Sequence, residues 1–251
     1  LDPAILAILG ATSLLTAAVS AILGMAGGIL LLAVMLLFLE PQIAVPIHAI
    51  VQLTSNSSRV VVHRQRIRPD LLLPFLLPLL PAGWLTVSLV QHAPDEALRL
   101  GIGCFVLLAT WKRRWLLLGF DPERLPVGPR FALVGLGAGA LGPLVGATGP
   151  FIAPFFLGIG LSRFELIGTK AACQAAGHLA KMTLFGLAGF GFLAYAPLIA
   201  VMALGSIAGT ALGTRFLDQL DDKRFSQLYK ATLTLVALRL VWSGLSPALS
   251  G

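Results

Sequence analysis

Apolar residues fall in ten runs along the chain, at about 4–23, 28–39, 42–62, 70–91, 96–117, 130–145, 150–161, 164–185, 194–215 and 224–243. The runs are rich in Leu, Ala and Gly and lack the two-residue alternation of a barrel strand, so helices are expected. At 1.5 Å per residue most can cross a hydrocarbon layer about 30 Å thick. Two cannot: runs 28–39 and 150–161 would extend about 18 Å, roughly half the distance. Two other runs carry polar stripes. His48, Gln52, Ser55 and Arg59 share one helical face of 42–62, with Asn56 beside them, because their spacings are four, three and four. Lys170, Gln174, His178 and Lys181 do the same in 164–185, next to Thr169.

The short runs and the striped runs occur in matching order. A constant shift of 122 superimposes 24–59 on 146–181 without a gap. Gly24 then meets Gly146, Gly27 meets Gly149, Ala49 meets Ala171 and Gln52 meets Gln174. His48 falls on Lys170, Asn56 on His178 and Arg59 on Lys181, while Pro41 and Arg163 coincide at a break between runs. Each copy is a Gly turn, a short apolar run, a break and a polar-striped helix. Two copies of one unit are expected, over 1–118 and 130–251, joined by a cytoplasmic linker at 119–129.

Composition agrees with the run lengths. The chain has 251 residues, 57% hydrophobic and 12% charged, and its mean hydropathy is +0.90. That is more apolar surface than a soluble domain buries, so the fold class is an all-α integral membrane protein. Cys104 and Cys173 lie in apolar runs without a CxxC or Cys/His cluster, and are expected to be small core residues. The first run lacks a basic region ahead of it and leads straight into the repeat, so no cleavable signal is expected. The net charge of +7 sits mostly at 63–68 and 112–130. In a membrane protein this marks cytoplasmic loops rather than a nucleic-acid surface. Trp111, Trp115 and Trp242 suit interfacial anchors.

The positive-inside rule also chooses between two topologies. With 63–68 and 112–130 inside, Arg163, Arg215, Lys223 and Arg224 fall inside only if each Gly-broken pair of runs is a hairpin. The expected architecture is therefore two inverted repeats of about five helical segments. Each opens with a Gly-tipped hairpin containing a half-length helix. A single helix over 4–39 would be about 54 Å long, too long for one crossing. Whether the hairpins are re-entrant or fully spanning stays open.

Hairpin tips at Gly24, Gly27 and Gly28 and at Gly146, Thr148 and Gly149 would meet near the midplane. Each short helix starts at its tip, so its unpaired N–H groups and positive dipole end would face there. Short Gly/Pro-interrupted segments at matching positions point to a transporter site. The competing reading is that the glycines serve helix packing alone. Gln52 and Gln174 would lie mid-membrane with their NH2 groups able to donate to an anion. Arg59, Lys170 and Lys181 are expected either to attract the anion from the two faces or to snorkel to the interfaces. The eleven Asp and Glu residues all lie at run ends or in loops. Buried amides and cations without carboxylates suit an anion rather than a cation. A proton-coupled mechanism would use His48 or His178, which titrate near neutrality. No metal site, cofactor or catalytic residue is expected. The chain has no HExxH, no GxSxG and no GxxxxGK[ST].

The order of features resembles the TauE/SafE sulfite-exporter family. The resemblance rests on Gly24, Gly27, Gly28, Pro41, Ala44 and 48–56 in the first half, and on Gly146, Gly149, Pro150, Pro154 and 169–181 in the second. It covers nearly the whole chain. The family's Pro in the short helix appears as Pro154 but is replaced by Leu32 in the first half, and Ala26 and Thr148 interrupt the glycines. The resemblance implies a multi-pass carrier in the bacterial inner membrane that exports small sulfur-containing anions such as sulfite or sulfonates, sulfoacetate among them. The residues themselves specify a small inorganic or organic oxyanion, leaving sulfate, thiosulfate and an anion channel as alternatives. Direction, coupling ion and oligomeric state stay open, a homodimer included.

Overall fold

The computed structural model describes residues 2–23, 27–215 and 222–249. Ten α-helices are described: α1 (Pro3–Leu23), α2 (Gly27–Met35), α3 (Pro41–His63), α4 (Pro69–His92), α5 (Asp95–Trp111), α6 (Val127–Val145), α7 (Gly149–Ile152), α8 (Arg163–Leu187), α9 (Ala196–Arg215) and α10 (Asp222–Leu249). Each begins within a few residues of an expected run. The start signals are local. Pro41 and Pro69 open α3 and α4, where a missing N–H costs nothing. At α8 the Ser162 hydroxyl accepts from the Glu165 backbone N–H and the Glu165 carboxylate accepts from the Ser162 N–H, a reciprocal cap.

The short segments differ from expectation in length. The first is helical only over α2, and its i−3 bonds at Leu37 and Phe38 tighten the end into turns. The second has four α-helical residues followed by a 3-10 stretch, Ala153–Phe156. Pro154 cannot donate into an α-helical ladder there, and Gly158 and Gly160 adopt positive φ just beyond. At the other end of the chain α10 runs further than the apolar pattern, and α5 stops at Trp111 instead of 117.

Four described helices are long and apolar enough to cross a membrane, over Pro3–Ala21, Pro69–His92, Val127–Val145 and Phe192–Gly213. Their outer faces are apolar too. On α4, Phe75, Leu79 and Ala82 turn inward while Leu73, Leu77 and Leu85 are more than half exposed. An apolar exterior of this kind is matched by lipid rather than water.

The most extensive contacts pair α1 with α9, α4 with α6, α5 with α10 and α3 with α8. Exchanging the halves (first with sixth helix, second with seventh, and so on) leaves this list unchanged. The directions are specific. Gly205, Gly209 and Gly213 lie against Gly10, Leu14 and Ala18, so α1 and α9 run parallel. Gly135 and Gly139 lie against Phe75 and Leu79, so α4 and α6 run parallel. By contrast α3 and α8 are antiparallel: Gly168 packs on His63, while His48 meets His178. So are α5 and α10, since Gly244 packs on Glu96 and Leu100 while the Trp111 indole N–H donates to the Thr234 hydroxyl at 2.8 Å.

Glycine sets the closest of these approaches. A Cβ at Gly135 would sit 2.1 Å from the Phe75 carbonyl oxygen, and one at Gly209 2.0 Å from that of Leu14. Lipid tails are as apolar as Leu, so helices in a bilayer associate through such close packing rather than through hydrophobic burial. The four-residue spacing of Gly205, Gly209 and Gly213 was visible in the sequence as a packing signal, although attention there falls on the tips.

Arginine holds the carbonyls at the end of each short segment. The Arg99 guanidinium, from α5, donates to the Leu36 carbonyl at 3.1 Å, just past α2. Arg130, from α6, donates to the Leu157 carbonyl and to that of Pro154 at 3.4 Å. Counted in the sequence among loop charges, Arg130 is instead buried, with 2% of its surface exposed. A cation here satisfies terminal carbonyls and complements the negative helix end.

Arg130→Met should therefore lower the melting point of the purified protein, costing about 1–3 kcal/mol for carbonyls left unpaired. An unchanged melting curve would deny the role. Gly135→Val should destabilise by overpacking, by about 1–3 kcal/mol. Gly142→Ala, which meets nothing within 4 Å, should be neutral or stabilising by up to about 1 kcal/mol in the same assay.

Candidate functional site

The polar stripes of α3 and α8 face one another. Helical spacing keeps each stripe on one side, and the antiparallel pairing turns the two sides together. Where they cross, the His48 and His178 rings stand edge to face with centroids 5.6 Å apart. Gly28 in the first turn of α2 and Gly149 at the start of α7 approach the same place from opposite halves.

Between them lies a cavity of about 20 Å³, measured as space open to the centre of a water molecule. Gly28, His48, Gln52 and Arg59 line it from the first half, and Thr148, Gly149, Gln174 and His178 from the second. Each glutamine rests on the tip of its own half. The Gln52 amide oxygen lies 3.1 Å from where a Gly28 Cβ would stand, and the Gln174 amide nitrogen 2.9 Å from the corresponding point on Gly149. A side chain at either glycine would press on the amide, so Gly here lets backbone and amide share one small space.

The tips are tied to the same helices. His48 Nε2 lies 2.8 Å from the Gly28 carbonyl oxygen, and the Lys181 ammonium donates to the Gly146 carbonyl. Gly146 has φ +71°, a conformation glycine adopts without strain, and a Cβ there would strike Leu32 of the other half. Asn56 donates to the Gln52 carbonyl at 2.7 Å and accepts from Arg59 at 2.9 Å. Buried polar atoms near the crossing, His178 Nδ1 and the Ser55 hydroxyl among them, have no hydrogen-bond partner. Unsatisfied polar atoms at such depth mark a place for water or a ligand.

Other residues singled out from the sequence sit elsewhere. Gly24 lies outside the described residues. Gly27 is a packing residue, for its Cβ would fall 1.9 Å from the Thr16 carbonyl oxygen of α1. Thr169 is buried with its hydroxyl accepting from the Arg68 backbone N–H at 3.0 Å, which ties α8 to the loop before α4. Lys170 is buried but does not line the cavity, and neither does Lys181, Asn56 or Gly146. The dipole argument also weakens in the second half. Four α-helical residues carry little macrodipole, and Pro150 supplies no N–H.

Ala147 and Pro150 of the second tip also line the cavity, and Ser20 and Ile29 line it without having been anticipated. For Ser20 a signal existed. Ser13, Thr16 and Ser20 repeat at helical spacing in an otherwise apolar run, and all three are buried. The Ser13 hydroxyl donates to the Met202 carbonyl of α9 at 2.7 Å.

The arrangement has amide donors, imidazoles, a guanidinium and glycine backbone around one small space, and no carboxylate on its wall among the described residues. It can hold a compact anion. Searches of curated proteins and of solved structures find no significant match. The family model described as Sulfite exporter TauE/SafE matches residues 9–240, nearly the whole chain, both tips and both striped helices included. With its lipid-facing apolar exterior and this match, the chain is a multi-pass membrane transport protein and belongs to the TauE/SafE sulfite exporter family.

Proposed function

We propose that this protein is a secondary carrier that exports a small sulfur-containing anion, sulfite or a sulfonate such as sulfoacetate, across the bacterial inner membrane. The central cavity is the binding site. The observation that carries this reading is the paired contact of Gln52 with Gly28 and of Gln174 with Gly149 around a space without carboxylates. The amides donate to anion oxygens, His48 and His178 flank them, and the Arg59 guanidinium supplies charge. His48 and His178 are also the groups through which a proton would couple to transport.

The two halves, 1–118 and 130–251 around a linker at 119–129, are read as inverted repeats. Antiparallel α3 and α8, and antiparallel α5 and α10, support this. A rotation that carries a helix onto an antiparallel partner has its axis perpendicular to the helices, hence in the membrane plane. The size of the cavity favours a carrier over a channel. About 20 Å³ admits roughly one water centre, whereas sulfite has three oxygens around sulfur. Binding therefore needs one bundle to move against the other, and alternating access is that motion.

The test is thermal stabilisation of purified protein by sulfite, sulfoacetate, taurine, thiosulfate, sulfate and chloride, followed by counterflow in vesicles. A specific ligand at a hundred times its Kd stabilises by about 2.7 kcal/mol. Stabilisation by sulfite or a sulfonate, lost together with counterflow in Gln52→Ala/Gln174→Ala, is the expected result. Wild-type transport rates in that double variant, correctly inserted, would remove the glutamines from the site.

A further inference from the structure

The antiparallel pair α3 and α8 has two ends, and each end opens into a cavity. At one end the last turn of α3 meets the start of α8. His63, Arg64, Arg66 and Phe164 line a cavity of about 420 Å³ there, and the His63 and Phe164 rings stack at 5.9 Å. At the other end the last turn of α8 meets the start of α3. Gln42, Gln91, Phe185 and Tyr195 line a cavity of about 430 Å³. The repeat shift of 122 takes His63 to Phe185, Arg66 to Ala188 and Gln42 to Phe164. The two cavities are thus the same place in the two halves, equal in size and opposite in end. Each lies about 15 Å along its helix from the central glutamine at 1.5 Å per residue.

Their charge differs. Around the first cavity stand four guanidiniums, Arg64, Arg66, Arg68 and Arg163, against two carboxylates. Asp70 and Glu165 are those carboxylates, and both lie against Arg68, at 2.8 and 3.9 Å. Two positive charges remain. Gln42 donates to the Ala93 carbonyl at 3.2 Å, which brings the α4–α5 turn against the second cavity. Asp95 and Glu96 follow that turn and Glu40 precedes α3, while the nearby Arg99 is engaged at the Leu36 carbonyl. Two negative charges remain at that end. Inside the helix pair each mouth has one cation a turn inward, Arg59 from His63 and Lys181 from Phe185, but only Arg59 is on the cavity wall, since Lys181 is engaged at the Gly146 carbonyl.

We infer that the two cavities are the alternating mouths of the carrier and that their opposite charge makes the Arg64/Arg66 mouth the loading mouth for anions. The inference rests on the transport reading above. A positive vestibule raises the local concentration of an anion and its rate of encounter, and a negative one lowers both. An anion that leaves past Glu40, Asp95 and Glu96 is repelled from rebinding there. The asymmetry acts on half-saturation and rate in each direction and leaves the equilibrium across the membrane unchanged. With 63–68 cytoplasmic, as the positive-inside rule places it, loading at this mouth is loading for export.

The experiment uses the full chain with Cys104→Ser, which removes the exposed native thiol. Gln65→Cys reports on the basic mouth and Ala194→Cys on the other. Each is labelled with an anionic (sulfonatoethyl) and a cationic (trimethylammonioethyl) methanethiosulfonate. The anion-to-cation rate ratio at 65 should exceed that at 194 by roughly tenfold at low salt, and the difference should shrink as ionic strength rises. Arg64→Gln/Arg66→Gln should lower the ratio at 65 several-fold and leave 194 unchanged. In oriented vesicles the wild type should half-saturate at lower sulfite from the basic face, and that variant should lose the difference. Equal labelling ratios in protein that carries sulfite would overturn the inference alone. The expected ratios in folded protein without sulfite counterflow would overturn the transport reading instead.

Discussion

A backbone that breaks inside a membrane must have its hydrogen bonds supplied by protein, because hydrocarbon supplies none. Everything distinctive in this molecule follows from meeting that requirement twice. α2 and the α7 segment are too short to span a hydrocarbon layer by themselves. Arg99 and Arg130 hold the far ends. His48 and Lys181 hold carbonyls at the near ends, each from the polar-striped helix of its own half. The polar stripes are therefore as much scaffold as site, and the cavity is the space left between two such braces.

That arrangement explains why the site contains amides and imidazoles rather than carboxylates. The broken ends present carbonyls as well as N–H groups, and the braces must donate. Lys181 and Asn56 are consumed in this way, one at Gly146 and the other between Gln52 and Arg59. What lines the cavity is narrower: the two glutamine amides, the two imidazoles and the Arg59 guanidinium. In the proposed reading the same pair of helices carries an anion site at its crossing and a vestibule at each end, and charges on loops far from the crossing decide the polarity of transport.

The helices, the two short segments and the two stripes were legible because they are written as periodicity and length. Spacings of three and four place Gln52 with His48, and Gln174 with His178, whatever they later touch. The gapless shift of 122 brings the two short segments and the two stripes into register although few residues are identical. Thr169 and Lys170 belong to the polar stretch of α8 but do not line the cavity, for a physical reason. A stripe on one helix face is longer than the ligand space it borders, and only the crossing point with the partner helix selects which part is used. Arg130 was taken for a loop charge because nothing in its neighbours reveals that the Pro154 and Leu157 carbonyls end beside it.

The sequence by itself determined that this chain lies in a membrane, is helical, and carries in matching order in each half a glycine turn, a short segment and a helix striped with amides and cations. These are consequences of local chemistry: transfer of apolar runs out of water, helical period, and the freedom of glycine. The tertiary structure alone decided that α3 and α8 cross antiparallel at His48 and His178, that Gln52 rests on Gly28 and Gln174 on Gly149, and that Gly27 serves packing against Thr16. Such choices depend on contacts between residues more than a hundred positions apart or on different helices. They are settled by which backbones can approach within van der Waals distance, and no local pattern encodes that.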